Sequence, residues 1–358
     1  MSLTAQLTLG ILALGFLIVV HEAGHYFVAR WCQMRVERFS IGFGPGILKR
    51  RSKSGTVFQL APIPFGGFVE IRGMNIAEDV DPEDKHAYPN RPAWQRFLTI
   101  LAGPATNYIS AIFIMFGLYM CEGVEGNTYY VAALSDGYDA MGKLEIGDRI
   151  IAVDGVQMYA PDTTMLAETV NAKAGKPLQV TVLRNGVRPV TVTIQPKVRK
   201  DDKGKEQLTK DGKPIYILGI QQAPDMVDIG FARASKEAIV YPVRQTKLIL
   251  GGLRDIFTGK EEADPGGPIR IVGEFKAAFG RGMRYGIKLL AMLSVYLGLF
   301  NLFPLPALDG GRLVFLGYEM VTRRRANPKI ETMVHMAGIM LLMIVMILVS
   351  VVDIKKYL

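Results

Sequence analysis

The sequence places two histidines and a glutamate at a spacing that can bind a metal ion. His21, Glu22 and His25 form the pattern His-Glu-x-x-His. In a helix, positions i and i+4 share one face about 5–6 Å apart, so both imidazoles can bind one ion while Glu22 stands beside the remaining coordination position. This arrangement is typical of zinc peptidases, in which the glutamate acts as the general base. The simpler interpretation is a group of polar residues lining a helix interface.

A catalytic zinc ion usually has three protein ligands, so a third ligand must come from elsewhere in the chain. His86 lies in a polar, proline-rich segment and His335 begins an apolar stretch, which makes both poor candidates. Asp309 is the better candidate because it follows Pro304 and Pro306, which interrupt a helix, and interrupted helices at membrane depth line buried or hydrated sites. The alternative for Asp309 is an ordinary turn residue at the water interface.

Four apolar stretches are long enough to cross a bilayer and must position these residues. They cover 3–20, 97–120, 287–308 and 333–352, and about 20 apolar residues suffice to span the hydrocarbon core. A signal peptide is the alternative for the first stretch, but it lacks a basic leading segment, and apolar sequence continues through Tyr26, Phe27 and Val28. An ionisable cluster in such a helix is costly unless it is paired or binds a metal, which favours a functional site.

The positions of lysine and arginine predict the orientation of these spans. The basic residues that follow the first span and precede the fourth are Arg30, Arg35, Arg38, Lys49, Arg50, Arg51, Lys53, Arg323, Arg324, Arg325 and Lys329. Since basic residues stay on the cytoplasmic side, we expect both loops in the cytoplasm and the segment 121–284 and both termini outside. The first and third spans then run in the same direction, so Asp309 can reach the depth of His21 and His25.

The segments between the spans differ in pattern. Residues 36–43 and 56–60 alternate between apolar and polar residues as strands do, and they continue into Pro62, Pro64 and a break at 66–67. An exposed edge of these strands could pair with an extended peptide. The alternative is a structural cytoplasmic loop. Residues 127–223 have the pattern of a soluble domain, with a hairpin at Asn185-Gly186. Residues 229–257 interleave apolar and basic residues, which predicts an amphipathic helix on the outer leaflet.

The distribution of charge argues against a nucleic-acid-binding protein, and the positions of the two cysteines argue against a disulfide. The net charge is +9, but much of the excess lies beside the spans, where it meets anionic lipid rather than nucleic acid. Cys32 and Cys121 are expected at opposite ends of the membrane, about 30 Å apart, so they cannot form a disulfide.

Several motifs in the same order along the chain resemble one family. HEAGH at 21–25, GFGP at 42–45, AGPATN at 102–107, GGPI at 266–269 and NLFPLPALDGG at 301–311 are similar to the bacterial site-2 proteases, and within them to the branch of the regulator of sigma-E protease. The resemblance implies that His21, His25 and Asp309 bind zinc, that Glu22 is the catalytic acid and base, and that Asn301 helps to hold the substrate. It also makes Gly42, Gly44, Pro304 and Pro306 candidates for substrate contact.

The resemblance further implies a fold, a substrate class and a location. We expect a polytopic α-helical membrane protein with four transmembrane helices, a membrane-associated re-entrant β-hairpin region and one inserted extracytoplasmic PDZ-like α+β domain, where the enterobacterial relative carries two in tandem. The expected divisions are 1–30, 31–96, 97–120, 121–228, 229–284, 285–311, 312–332 and 333–358. The function implied is zinc-dependent cleavage within transmembrane segments of single-pass membrane proteins, such as anti-sigma factors or remnant signal peptides, in the regulated intramembrane proteolysis of a stress response at the bacterial inner membrane.

Two other classes of protein compete with this interpretation. A non-catalytic membrane scaffold would keep the fold and the PDZ-like surface but would not need Glu22 or Asp309. A zinc transporter or sensor would show further ligands along a conduction path, and no other histidine lies in the interior of a span. Both alternatives are therefore weaker than a protease.

Overall fold

The computed structural model describes residues 3–75, 78–158, 165–200, 204–209, 212–260 and 266–357. These residues form two compact units: one comprises the chain up to Leu118 together with the chain from Ala232 onward, and the other is Tyr119–Phe231. The first unit holds the apolar helices and a small sheet, and the second is built mainly of strands.

Four helices of the described chain are long and apolar enough to cross a membrane, as expected. These candidate spans are Thr8–Trp31, Ala93–Glu122, Met283–Leu302 and Lys329–Val351. The helices of the first unit are α1 (Leu3–Trp31), α2 (Ala93–Glu122), α4 (Phe231–Phe257), α5 (Pro268–Arg281), α6 (Met283–Leu302), α7 (Asp309–Thr322) and α8 (Pro328–Tyr357). Only 6% of the most apolar stretch of α8 is buried, so this helix lies at the periphery of its unit.

The third span differs from the sequence prediction at its carboxyl end. The span was expected to reach residue 308 with an interruption at Pro304 and Pro306, and a loop was expected at 312–332. The structure has the interruption, since α6 ends at Leu302, but a new helix, α7, begins at Asp309 and occupies part of the expected loop. Phe303 is already extended (φ −63°, ψ 142°) because it precedes Pro304, which disfavours helical backbone in the residue before it. The break therefore puts Asp309 in the first turn of a helix rather than at the end of one.

A four-stranded sheet follows α1. Its strands are β1 (Val36–Phe43), β2 (Leu48–Arg51), β3 (Val57–Leu60) and β4 (Ile63–Ile71), in the order β2-β3-β1-β4, with β1 and β3 parallel and the other pairs antiparallel. The predicted break at Gly66-Gly67 is wrong, because β4 runs through both glycines. Pro64 is tolerated inside β4 because β4 is an edge strand. Gly66 is required because a Cβ at this position would overlap the ring of Phe43 on β1.

The region between the second unit and α6 forms two helices, α4 and α5, where one amphipathic helix was expected. Pro242 lies inside α4, which is not among the candidate spans. Helix α5 packs against α1 through a cluster of Phe275, Phe279 and Ala13. The Asp353 carboxylate of α8 accepts a hydrogen bond of 2.8 Å from the backbone N–H of Gly267 before α5. Helix α5 is thus fixed from two sides.

The second unit is an antiparallel sheet with a helix packed against it. Its strands are β5 (Val124–Leu134), β6 (Arg149–Val153), β7 (Val156–Gln157), β8 (Leu178–Arg184), β9 (Arg188–Ile194), β10 (Lys197–Val198), β11 (Tyr216–Ile217) and β12 (Ile220–Val227), with α3 at Met165–Ala172. The main order is β12-β5-β6-β8-β9. The hairpin expected at Asn185-Gly186 joins β8 to β9, and both residues have positive φ, as a type I′ turn requires.

Candidate metal centre

The two histidines of α1 and the aspartate of α7 converge on one point. His21 and His25 are buried, at 8% and 7% exposure, and their Nε2 atoms lie 3.2 Å apart. The Oδ2 atom of Asp309 is 3.1 Å from His21 Nε2 and 3.3 Å from His25 Nε2. Three potential ligand atoms from two helices therefore form a small triangle.

This triangle fits a tetrahedral zinc ion. Zinc binds imidazole nitrogen and carboxylate oxygen at about 2.0–2.1 Å, which separates any two ligands of a tetrahedron by about 3.3 Å. Asp309 Oδ2 is buried and has no hydrogen-bond donor among the described residues. Three lone-pair atoms facing one another at these distances repel unless a cation lies between them, and buried polar atoms without partners are rare. The donor set suits zinc.

Both imidazole rings are held on the side away from the triangle. His25 Nδ1 donates a hydrogen bond of 2.8 Å to the backbone carbonyl of Thr99 on α2, which leaves the lone pair of the neutral ring on Nε2. His21 Nδ1 lies 3.0 Å from Nδ2 of Asn107, also on α2. Helix α2 thus orients both histidines of α1.

Two glycines allow α1 and α2 to approach closely enough for these contacts. A Cβ on Gly24 of α1 would overlap the backbone carbonyl of Ala102, and a Cβ on Gly103 of α2 would overlap the ring of His25. Small residues are the usual means of close approach between membrane helices. Thr106 adds a hydrogen bond across the same interface, from its hydroxyl to the carbonyl of Val20 at 3.0 Å.

The triangle opens onto a cavity of about 290 Å³. Glu22 and Asn301 line this cavity together with the three residues of the triangle. Phe68 and Val69 of β4 form another wall. The Glu22 carboxylate accepts a backbone hydrogen bond from Val69, and Asn301 Nδ2 donates to the carbonyl of Leu297 at 2.9 Å. A carboxylate that could move protons and an amide that could hold a peptide chain therefore face the same space as the triangle.

The other residues proposed for substrate contact do not line this cavity. Gly42 and Gly44 have φ of 89° and 106° and shape the end of β1, where a Cβ on Gly42 would crowd the carbonyl of Ala61. Pro304 is exposed, whereas Pro306 packs against Gly338 of α8. Their described surroundings indicate a part in shaping the backbone, and their contact with substrate stays a prediction.

Two further residues next to the site, Asn107 and His335, have contacts that the sequence did not predict. His335 lies on α8, and its Nδ1 accepts a hydrogen bond of 3.2 Å from the backbone N–H of Ala307, which has a positive φ of 75° two residues before Asp309. His335 thus holds the bend that precedes the aspartate. Asn107 ends the AGPATN motif, and that motif was the only signal in the sequence that could have pointed to it.

Comparison with known proteins agrees with this geometry. The model of the family described as Peptidase family M50 matches residues 9–345 of the chain. The chain belongs to peptidase family M50. Zinc metalloprotease RasP of Geobacillus kaustophilus is 28% identical to this M50 peptidase over 425 residues, covering 97% of each chain. A Mesorhizobium japonicum protein whose name includes the words zinc metalloprotease is 30% identical over 353 residues, covering 91% of this chain and 92% of its own.

A solved structure matches a smaller part of this M50 peptidase. The PDZ domain of an SdrC-like protein from Listeria monocytogenes has 20% sequence identity and a TM-score of 0.21, and the match covers 28% of this chain and 92% of that domain.

Family membership and the donor set together define the enzyme class. This M50 peptidase is a zinc metalloendopeptidase of the site-2 protease type, and its cofactor is zinc. His21, His25 and Asp309 are a group in the described chain with the composition and spacing to hold the ion.

Proposed function

We propose that this protein hydrolyses peptide bonds inside the membrane, within the transmembrane segments of single-pass membrane proteins. The observation that carries the proposal is the position of the metal triangle: His21 and His25 lie inside α1, a candidate span, and Asp309 follows the broken end of α6, another candidate span. A hydrolytic site built from such helices meets substrates that are themselves in the bilayer.

The residues around the cavity have separate tasks in this reaction. His21, His25 and Asp309 would hold zinc, which would supply Lewis-acid chemistry beside the scissile peptide bond. The Glu22 carboxylate takes the proton from the attacking water and returns it to the nitrogen of the leaving amine. Asn301, in the same cavity, helps to hold the substrate chain.

A transmembrane substrate must be unwound before its peptide bonds can react, because a helix keeps its backbone groups in internal hydrogen bonds. Strand β4 is at the edge of the four-stranded sheet, and Phe68 and Val69 of this strand line the metal-site cavity. We therefore assign β4 the task of pairing with the extended substrate by strand addition. This sheet is the proposed re-entrant element of the membrane region.

The proposed topology puts the basic loops in the cytoplasm of a bacterium and the second unit outside the inner membrane. The exposed arginines Arg50, Arg51, Arg323, Arg324 and Arg325 support it, since basic residues near spans remain cytoplasmic. The antiparallel sheet, short helix and hairpin of the second unit are compatible with one PDZ-like domain. It would exclude bulky substrates, so that anti-sigma-factor-like proteins or remnant signal peptides enter after trimming, as in regulated intramembrane proteolysis.

A reconstituted cleavage assay tests the proposal. The full chain in proteoliposomes is incubated with a model single-pass substrate, with and without a zinc chelator, and the cleavage site is mapped by mass spectrometry. Glu22→Gln is expected to keep its zinc and to lose activity by about 10²–10⁴-fold, because the proton carrier is gone. Cleavage outside the transmembrane segment, or full activity of Glu22→Gln, would refute the proposal. An inactive but zinc-free wild type would instead refute the ligand set.

A further inference from the structure

The two metal-site histidines differ in what faces their outer ring nitrogen. His25 Nδ1 faces the carbonyl oxygen of Thr99, a group that can only accept a hydrogen bond. His21 Nδ1 faces the side-chain amide of Asn107, which has a donor at one end and an acceptor at the other. The two ends have nearly the same shape, so hydrogen bonding decides which end points to the ring.

The tautomer that a zinc-binding His21 needs decides which end of the Asn107 amide faces the ring. Asn107 is fully buried, and its Oδ1 has no hydrogen-bond partner among the described residues when Nδ2 points to His21. In that orientation His21 Nδ1 must accept, and the proton of a neutral ring then lies on Nε2, where it blocks a metal. Rotating the amide by half a turn gives Oδ1 a partner and moves that proton to Nδ1.

We propose that Asn107 is a positioning residue of the metal centre: its Oδ1 accepts a hydrogen bond from His21 Nδ1–H and thereby keeps the Nε2 lone pair directed at zinc. This inference rests on the proposed ligand set. It makes the two histidines equivalent, each donating from Nδ1 to an oxygen of α2. Such outer partners set the tautomer and orientation of metal-binding histidines.

A polar network ties Asn107 to the helix that leads to the third ligand. The hydroxyls of Ser110 on α2 and Ser294 on α6 both lie 2.9 Å from the backbone oxygen of Asn107 and 2.8 Å from each other. Ser294 is fully buried. The backbone of Asn107 is thus fixed against α6, so its side chain can hold His21 in one place relative to the segment that carries Asp309.

Zinc affinity of the full chain, measured in detergent by competition with a chromophoric chelator, tests this role without reference to activity. Asn107→Leu keeps the shape but removes the acceptor, and we expect about 10–100-fold weaker zinc binding. Asn107→Asp keeps only acceptor oxygens, and we expect affinity equal to or above that of the wild type. Ser110→Ala is the graded comparison, because it removes one hydroxyl from the network while Ser294 still donates to the backbone oxygen of Asn107, and we expect a clearly smaller loss than in Asn107→Leu.

The outcomes separate this inference from the proposed function. Wild-type affinity in Asn107→Leu, or an equal loss in Asn107→Asp and Asn107→Leu, would overturn the inference while leaving the ligand set intact. A wild type that binds no zinc would instead overturn the ligand set. If the variants fail to fold, ¹⁵N-histidine NMR of the zinc-loaded wild type decides: a proton on His21 Nδ1 supports the inference, and a bare Nδ1 overturns it.

Discussion

Two carboxylates, one in each unit, have opposite surroundings. Asp148 of the second unit is 1% exposed and receives hydrogen bonds of 3.0 and 2.8 Å from Arg184 and one of 2.9 Å from the backbone N–H of Glu145. Asp309 of the first unit faces two imidazole nitrogens and has no donor among the described residues. The chain itself supplies the counter-charge of Asp148, whereas the proposed role of Asp309 as a zinc ligand assigns its counter-charge to the metal.

The largest effect is expected from removing the unsatisfied carboxylate. Asp309→Ala should abolish tight zinc binding and lower activity by about a thousand-fold or more, because a metal worth several kcal/mol of transition-state stabilisation is lost. Zinc content by atomic absorption and cleavage of the model substrate measure both effects. Asp148→Asn is the control and should retain zinc and activity. A variant lacking Asp309 that still held one tightly bound zinc would remove the basis of the comparison.

Asp148→Asn should instead destabilise the second unit by about 1.5–3 kcal/mol at neutral pH, since it removes the charge-assisted hydrogen bonds between Asp148 and Arg184 and leaves Glu145 as the carboxylate paired with that guanidinium. Burial disfavours the ionised form of Asp148, but the hydrogen bonds from Arg184 and Glu145 outweigh it and hold the pKa of this carboxyl below its usual value.

The lowered pKa gives this prediction a pH dependence with a definite sign. The stabilisation is present above the pKa of the unfolded chain, about 4, and is lost as the pH falls through the lower pKa of the folded state. Pulse proteolysis of the full chain at pH 7 and pH 3 measures the free energy of unfolding of the Tyr119–Phe231 unit. The gap between wild type and Asp148→Asn should narrow in acid, and a constant gap would contradict the assignment.

Gly103→Ala tests how closely the metal site is held by α2. The new methyl group would overlap His25, so we expect weaker zinc binding and a loss of activity of about a hundred-fold, the usual cost of displacing a reacting group by about 1 Å. Gly117→Ala is the matched control, because Gly117 lies on the same helix and a Cβ at this position would have no neighbouring atom within 4 Å. Equal effects of the two substitutions would point to helix stability rather than to the histidine.

The smallest effect is expected at an exposed ion pair. Asp139 and Lys143 of the second unit lie 2.7 Å apart, with side chains 31% and 41% exposed. Lys143→Ala should therefore change the free energy of unfolding by less than about 1 kcal/mol. The same pulse-proteolysis measurement checks it, and a loss as large as that of Asp148→Asn would show that burial is not what separates the two pairs.

Local pattern was enough to predict the elements that carry the site. The i, i+4 spacing of His21 and His25 and the length of the apolar stretches depend only on helix geometry, and the structure has both. The proximity of Asp309 followed from two spans running in the same direction. These inferences need only the spacing of residues along a helix and the positions of lysine and arginine, which a single sequence contains.

Contacts between distant segments could not be predicted in the same way. Nothing local indicates that Asn107 meets His21, that Thr99 accepts from His25, or that His335 of α8 holds Ala307, because each depends on how helices pack side by side. The strand through Gly66 was missed because glycines usually interrupt strands, whereas here the absence of a side chain makes room for Phe43 of the neighbouring strand.

The contact of α8 with the bend before Asp309 has a consequence for how the enzyme responds to its lipids. Gly338 and His335 place this peripheral helix directly on Pro306 and Ala307. A hydrophobic helix adjusts its tilt to the thickness of the surrounding bilayer. We therefore expect a change in bilayer thickness to move the bend and the carboxylate behind it, so turnover in lipids of different acyl-chain length should differ.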